Sequence, residues 1–176
     1  MAITRIGPNQ SINLASNITG TLPTGNGGTG ATSFAPGKVL QIVSASQTNT
    51  VTSTDTSYAD ITGLSVTLTP SSSSNKLYIM YNLQVSNSAL AANDSLRIMR
   101  DSTGIISPSN YWRLQNNTFM AQLSGNFLDS PSTTSATTVK IQWRAESGTI
   151  SLNRRGDNST VRSVSTISVM EILAWL

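Results

Sequence analysis

Apolar and polar residues alternate along several short segments of this chain, and the alternation constrains its fold more than any other feature. Leu64, Val66 and Leu68 are separated by Ser and Thr, and the same period of two runs from Leu77 to Val85. A period of two places every second side chain on one face of a β-strand. Such segments recur roughly every 10 to 15 residues with turn residues between them, so an all-β, jelly-roll-like β-sandwich is predicted for residues 37–176. The predicted strands are 39–43, 58–61, 64–69, 77–85, 95–100, 119–128, 138–145, 149–152 and 161–176.

The last predicted strand is apolar on both faces near its end. Met170 and Ile172 fall on one face, and Ile167, Val169 and Leu173 fall on the other. A strand of this kind is usually central and covered on both sides. One face is expected to meet the sandwich core and the other a neighbouring subunit, which favours an oligomer.

Residues 1–36 differ in composition from the rest and form a separate predicted unit. They carry one charge, Arg5, and six of the twelve glycines fall between Gly20 and Gly37. Such a segment buries too little apolar surface to fold alone. It nevertheless contains regularly recurring Ile and Leu residues, for which a solvated linker has little use. Two interpretations stay open: a disordered tail, or an extended anchor that becomes ordered on assembly.

The chain contains neither His nor Cys. This excludes a disulfide framework, a Ser-His-Asp triad and imidazole or thiolate metal sites, and no metal or cofactor is expected. Asp55 with Asp60, or Asp94 with Asp101, are the carboxylates that could be paired for glycoside hydrolysis, but nothing in the sequence supports such a site. An enzyme is therefore not predicted.

Charge and hydropathy narrow the expected partners. Eleven Lys and Arg are scattered along the chain, without the basic stripe typical of nucleic-acid binders, so no nucleic-acid partner is expected. No apolar run reaches the ~20 residues of a membrane span, and no apolar signal core follows Met1. The protein is therefore expected to be made in a cytoplasm without a signal peptide or membrane insertion.

Tyr111, Trp112 and Arg113 form the most site-like cluster. Aromatic rings stack on sugars and the neighbouring amides can bind sugar hydroxyls, so a receptor-binding role is one interpretation. The cluster lies between predicted strands, where binding loops usually lie. The alternative is that the two aromatic residues close one end of the sandwich or a subunit contact. Arg155-Gly156-Asp157 spells a cell-adhesion tripeptide, but a polar turn is the favoured interpretation.

Three blocks of sequence resemble fibre proteins of tailed bacteriophages. The first is Leu-Pro-Thr-Gly-Asn-Gly-Gly-Thr-Gly-Ala-Thr at 22–32. The second runs from Gly37-Lys38-Val39 to the Ile-Thr-Gly-Leu-Ser-Val-Thr-Leu-Thr-Pro stretch at 61–70, and the third is Ser-Val-Met-Glu-Ile at 168–172. Together the blocks span most of the chain.

The resemblance implies a homotrimer on the virion, assembled in the host cytoplasm, with an N-terminal attachment segment and a C-terminal knob. The segment would contact other virion proteins. The knob would contact the host surface, with a surface polysaccharide as the expected receptor. Its glycines would let three backbones pass close together on an axis. The residues that the resemblance assigns to this anchor and trimer axis are Leu22, Pro23, Gly25, Gly27, Gly28 and Gly30. A capsid decoration or baseplate component and a soluble carbohydrate-binding module remain as alternatives.

Overall fold

The structure is a computed structural model that describes residues 38–174, apart from the side chains of residues 107–110. The described chain forms ten β-strands and no helix, as the sequence predicts. The strands are β1 (Val39–Gln47), β2 (Val51–Ser53), β3 (Ala59–Leu68), β4 (Lys76–Asn87), β5 (Asp94–Arg100), β6 (Thr103–Trp112), β7 (Ala121–Asp129), β8 (Thr137–Arg144), β9 (Ile150–Leu152) and β10 (Ser165–Ile172).

The strands form two antiparallel sheets with jelly-roll topology. In the six-stranded sheet, the four long strands have the order β1-β10-β4-β7. The short strand β9 pairs with the end of β4 beyond β10, and the short strand β2 pairs with β9. The four-stranded sheet has the order β3-β8-β5-β6. The antiparallel pairs are nested, with β5 on β6, β4 on β7, β3 on β8 and β1 on β10. Such nested pairs arise when one long β-hairpin folds over into two facing sheets. This arrangement is a jelly roll.

The alternating pattern decides which side chains enter the core. In β4 the residues Leu77, Ile79, Tyr81, Leu83 and Val85 are buried, while their neighbours Tyr78 and Met80 face outward and are half-buried. The inner residues of both sheets form one hydrophobic cluster, in which Trp143 is the largest fully buried side chain. Arg100 of β5 and Asp129 of β7 join the two sheets by a salt bridge of 2.5 Å.

Two sequence predictions of strands need correction. The segments 58–61 and 64–69 belong to one strand, β3, in which Gly63 has a φ of +83° and the pairing with β8 shifts between Asp60 and Ser65. A bulge at a glycine breaks the alternation, so one strand resembles two. The second correction concerns two strands that the sequence did not predict, the three-residue β2 and the longer β6, in which Gly104, Pro108 and several serines interrupt the alternation.

The final strand is central, as predicted. β10 lies between β1 and β4, with Ser165, Ile167, Val169 and Glu171 buried on its inner face. Trp175 and the whole of residues 1–37 lie outside the described residues, so the boundary predicted at residue 36 stays a prediction.

Candidate functional site

Tyr111, Trp112 and Arg113 lie at the end of β6 and just after it, not in the predicted loop. Successive residues of a strand point to opposite faces, so Tyr111 and Trp112 do not form one platform. Tyr111 lies on the outer face of the four-stranded sheet and is 61% exposed. Trp112 is 6% exposed and belongs to the core, and Arg113 is exposed. A ligand on this face can therefore reach Tyr111 but not the indole of Trp112.

Trp112 has an unusual feature within the described part of the chain. Its Nε1 is the one buried side-chain nitrogen or oxygen there that has no hydrogen-bond partner. An unpaired buried N–H costs free energy, because folding removes the group from water without replacing that hydrogen bond.

The predicted anchor residues lie outside the part of the chain that the structure describes. They are Leu22, Pro23, Gly25, Gly27, Gly28 and Gly30.

Two arginines, one tyrosine and one serine form a cluster on the outer side of the four-stranded sheet. We call these residues the arginine–tyrosine cluster: Tyr58, Ser95, Arg97 and Arg144. The guanidinium carbon of Arg97 lies 4.3 Å from the centroid of the Tyr58 ring, and that of Arg144 lies 5.7 Å from it. Guanidinium groups at these distances are attracted to the π face of the ring. The hydroxyls of Tyr58 and Ser95 are 2.9 Å apart, and Arg144 Nε donates to Ser95 Oγ over 3.0 Å.

Strand register places Tyr111 beside this cluster. Ser95 of β5 is paired with Arg144 of β8 on one side and with Tyr111 of β6 on the other. The three residues therefore form one row across three strands. Because neighbouring strands are about 4.8 Å apart, the backbones at Arg144 and Tyr111 are separated by about 10 Å.

The carboxylates nearest to this row are engaged by other groups. Asp60 accepts hydrogen bonds from Lys140 (2.8 Å) and Gln142 (2.5 Å), and the bond from Lys140 is the main cause that lowers its pKa. Glu146 accepts from the backbone and the amide of Asn93, and these bonds lower its pKa. Asp94 is buried; burial raises its pKa, although Asn87 and the backbone N–H of Glu146 donate to it.

The carboxylate pairs that the sequence offered for glycoside hydrolysis are either far apart or bound to other groups. Asp94 begins β5 and Asp101 follows its end, so the two are about 23 Å apart, beyond the separation of a glycosidase pair. In the second pair considered, Asp55 and Asp60, the carboxylate of Asp60 accepts hydrogen bonds from Lys140 and Gln142. Among residues 38–174 there is no group of three or more Asp and Glu residues that could hold a metal ion. The same residues include no helix long and apolar enough to cross a membrane.

Sequence reasoning missed Tyr58, Arg97 and Arg144 as a group. Arg97 alternates with buried Leu96 and Ile98, and Arg144 follows buried Trp143, so each was a recognisable outward position. Their convergence on Tyr58 depends on β8 pairing with both β5 and β3, and residues 37 or more apart in sequence give no local signal of that register.

The outer face of the six-stranded sheet has the opposite chemistry. Strand register aligns four apolar side chains across its whole width; we call Ile42, Met170, Tyr78 and Leu128 the apolar row. Ile42 is 57% and Leu128 is 53% exposed, while Met170 and Tyr78 between them are half-buried. Lys76 is the only charged residue that faces outward from β1, β4, β7 and β10, and its Nζ donates to Ser130.

The Arg155-Gly156-Asp157 tripeptide lies in an irregular segment between β9 and β10. Arg155 donates to Asp157 from Nε over 3.0 Å and from a terminal nitrogen over 2.8 Å. This closed ion pair agrees with the predicted polar turn.

Comparisons with known proteins find similarity in structure only. No family model matches the chain, and no curated protein matches it. Among solved structures, PRD1 vertex protein P5 is 12% identical with a TM-score of 0.49, covering 78% of this chain and all of its own. VP2 of infectious bursal disease virus, in a subviral particle, is 16% identical with a TM-score of 0.40, over 76% of this chain and 38% of its own. Latent PorU from Porphyromonas gingivalis is 8% identical with a TM-score of 0.37, over 85% of this chain and 15% of its own. The jelly-roll assignment itself rests on the strand order.

Proposed function

We propose that this chain is a non-enzymatic structural protein of a tailed-phage virion. It forms a homotrimeric fibre or spike, attached to the particle by residues 1–36, and its jelly-roll knob meets the host surface. The three sequence blocks at 22–32, 37–70 and 168–172 support the virion assignment. The observation that carries the oligomer is the apolar row, since two of its members leave more than half of a large apolar side chain in water.

The chemistry of the apolar-row face favours contact with copies of itself. Its four strands present Ser, Thr, Asn and Gln beside the apolar row, and Lys76 is their only outward-facing charge. Identical faces can therefore meet without like-charge repulsion and bury the apolar row. A contiguous exposed apolar strip typically marks such a contact.

The mass of the full chain in solution tests the oligomer. Three subunits of 18.6 kDa give about 56 kDa, which light scattering separates from a monomer. Leu128→Lys and Ile42→Lys place charges on exposed edge-strand positions and should dissociate the trimer without unfolding the knob. Ser102→Lys, in the exposed β5–β6 turn, is the matched control and should remain trimeric. A wild-type monomer would overturn the homotrimer.

Attachment to the virion is tested separately. Deletion of residues 2–30 should leave a folded knob that is no longer incorporated into particles, and an antibody against the knob should label intact particles at the tail. Normal incorporation of the deletion variant would contradict the anchor. Label on the capsid or baseplate would instead favour the decoration or baseplate component.

The arginine–tyrosine cluster favours a second candidate, a soluble carbohydrate-binding module. Such a module would act as a monomer and would bind its glycan without residues 1–36. Glycan binding by a monomeric knob that is absent from particles would select it over the fibre.

A further inference from the structure

We propose that the arginine–tyrosine cluster and the adjoining Tyr111 ring bind an acidic saccharide, a sugar ring that carries a carboxylate or phosphate group. This inference rests on the proposed contact of the knob with the host surface and names the ligand class for it.

The arginines supply the site for the anion. Arg97 and Arg144 approach the same Tyr58 ring, so their guanidinium carbons are no more than 10 Å apart. Each has one hydrogen bond to a protein side chain, from Nε to Gln142 and to Ser95 respectively. No described residue accepts a hydrogen bond from their terminal nitrogens. Two neighbouring positive charges repel each other, and a bound anion relieves that repulsion while pairing with the free N–H groups.

The acidic side chains nearby do not fill this role. Asp60 is held by Lys140 and Gln142, Glu146 by Asn93, and Asp94 is buried against Asn87. The positive charge of Arg97 acts on Asp60 and that of Arg144 acts on Glu146 and Asp94, but no described carboxylate forms a salt bridge with either arginine. A bound anion would supply the direct partner that neither guanidinium group has among the described carboxylates.

Tyr111 supplies the surface for a sugar ring. Its side chain is 61% exposed, at the opposite end of the Arg144–Ser95–Tyr111 row. The separation of about 10 Å between the row ends accommodates one sugar ring with its charged substituent. The ring face of Tyr111 can pack against the C–H groups of the sugar, and the phenol can bond a hydroxyl. A bare anion would contact the arginines alone, whereas an acidic saccharide contacts both the arginines and the ring of Tyr111.

The experiment measures binding of the full chain to polymers of defined chemistry by biolayer interferometry. Polygalacturonate carries carboxylates, dextran phosphate carries phosphates, and unmodified dextran is the neutral reference. Wild-type protein should bind at least one acidic polymer about tenfold more tightly than dextran, with affinity falling as salt rises. The two acidic arms distinguish a carboxylate from a phosphate.

Variants assign the binding to these residues. Arg97→Gln and Arg144→Gln should each weaken acidic-polymer binding about tenfold, and Tyr111→Ser should weaken it with no change in charge. Arg162→Gln removes the same charge from the β9–β10 connection, and its binding should stay within about twofold of wild type. The exposed Tyr111 can be replaced without disturbing the core, so it remains informative if an arginine variant melts early.

Three results would overturn the inference: binding to neither acidic polymer, equal loss in Arg162→Gln, or tight binding to double-stranded DNA that Tyr111→Ser leaves unchanged. Virion labelling is independent of all three, so the fibre assignment can fail or stand separately.

Discussion

Asn153 donates a hydrogen bond from Nδ2 to the backbone carbonyl oxygen of Gln47 over 2.5 Å, joining positions 106 residues apart. The same nitrogen donates to the carbonyl oxygen of Asn49 over 3.1 Å, and Oδ1 accepts from the Ser165 hydroxyl over 2.6 Å. Asn153 is fully buried and has a φ of +60°. One side chain thus ties the β1–β2 turn to the start of β10.

Asn153→Ala should lower the free energy of unfolding by about 3 kcal/mol, because it leaves two buried carbonyl oxygens and a hydroxyl without their partner. Urea denaturation measures the loss. Asn153→Gly is the matched control, since it removes the same hydrogen bonds but glycine adopts a positive φ freely. The Gly variant should therefore be about 1 kcal/mol more stable than the Ala variant. Equal stability of Ala and Gly would show that backbone conformation at this position costs nothing.

Glu171 is the centre of a second buried hydrogen-bond network. Its carboxylate is 1% exposed and accepts hydrogen bonds from Gln41, from Asn75, and from both the backbone N–H and the hydroxyl of Ser71. Burial raises the pKa of this carboxyl, but the four hydrogen bonds outweigh burial and leave the pKa below its usual value of 4.5.

The stability that Glu171 contributes should depend on pH. Because its folded pKa is lowered, the contribution is present above pH 4.5 and is lost as the pH falls through the folded pKa. Glu171→Gln should lower the free energy of unfolding by about 2 kcal/mol at neutral pH, and this difference from wild type should shrink in acid. Urea titrations at several pH values measure it. Comparing the two proteins removes the opposite contribution of Asp94, which both retain. A difference that is constant with pH would contradict the lowered pKa.

The sequence predicts the all-β class and most strand positions because burial on one face imposes a period of two. It also places β10 at the centre of its sheet. It does not reveal β2, which has only three residues, or β6, in which glycine, proline and serine obscure the alternation.

The candidate site was less predictable than the fold. Tyr111, Trp112 and Arg113 are adjacent in sequence, but strand geometry sends Tyr111 outward and Trp112 into the core. The partners of Tyr111 on its own face, Ser95 and Arg144, come from strands distant in sequence. Adjacency in sequence is thus a poor guide to a site built across strands, where register decides which side chains meet.

Trp112→Phe should change the free energy of unfolding by less than about 1 kcal/mol. The smaller ring leaves a cavity, which destabilises the fold, but the substitution also removes the unpaired buried N–H and its cost of about 1–3 kcal/mol. Trp143→Phe is the control: Trp143 is 1% exposed and its nitrogen is not among the unpaired groups, so only the loss of packing is expected. Equal destabilisation of the two variants in urea would show that the Trp112 N–H carries no penalty.

Gly125 of β7 lies directly beneath the ring of Tyr81, its neighbour in β4. A Cβ atom at position 125 would lie 2.5 Å from Tyr81 Oη and 2.8 Å from Cζ, closer than van der Waals contact allows. Gly125→Ala should therefore cost about 2 kcal/mol, because the ring must leave its place in the packed core. The cause is the ring itself, so in a Tyr81→Leu background the same substitution should cost less than about 0.5 kcal/mol. Urea denaturation of the four proteins of this double-mutant cycle measures the coupling. If Gly125→Ala costs the same in both backgrounds, the glycine is required by the backbone of β7 and not by the tyrosine above it.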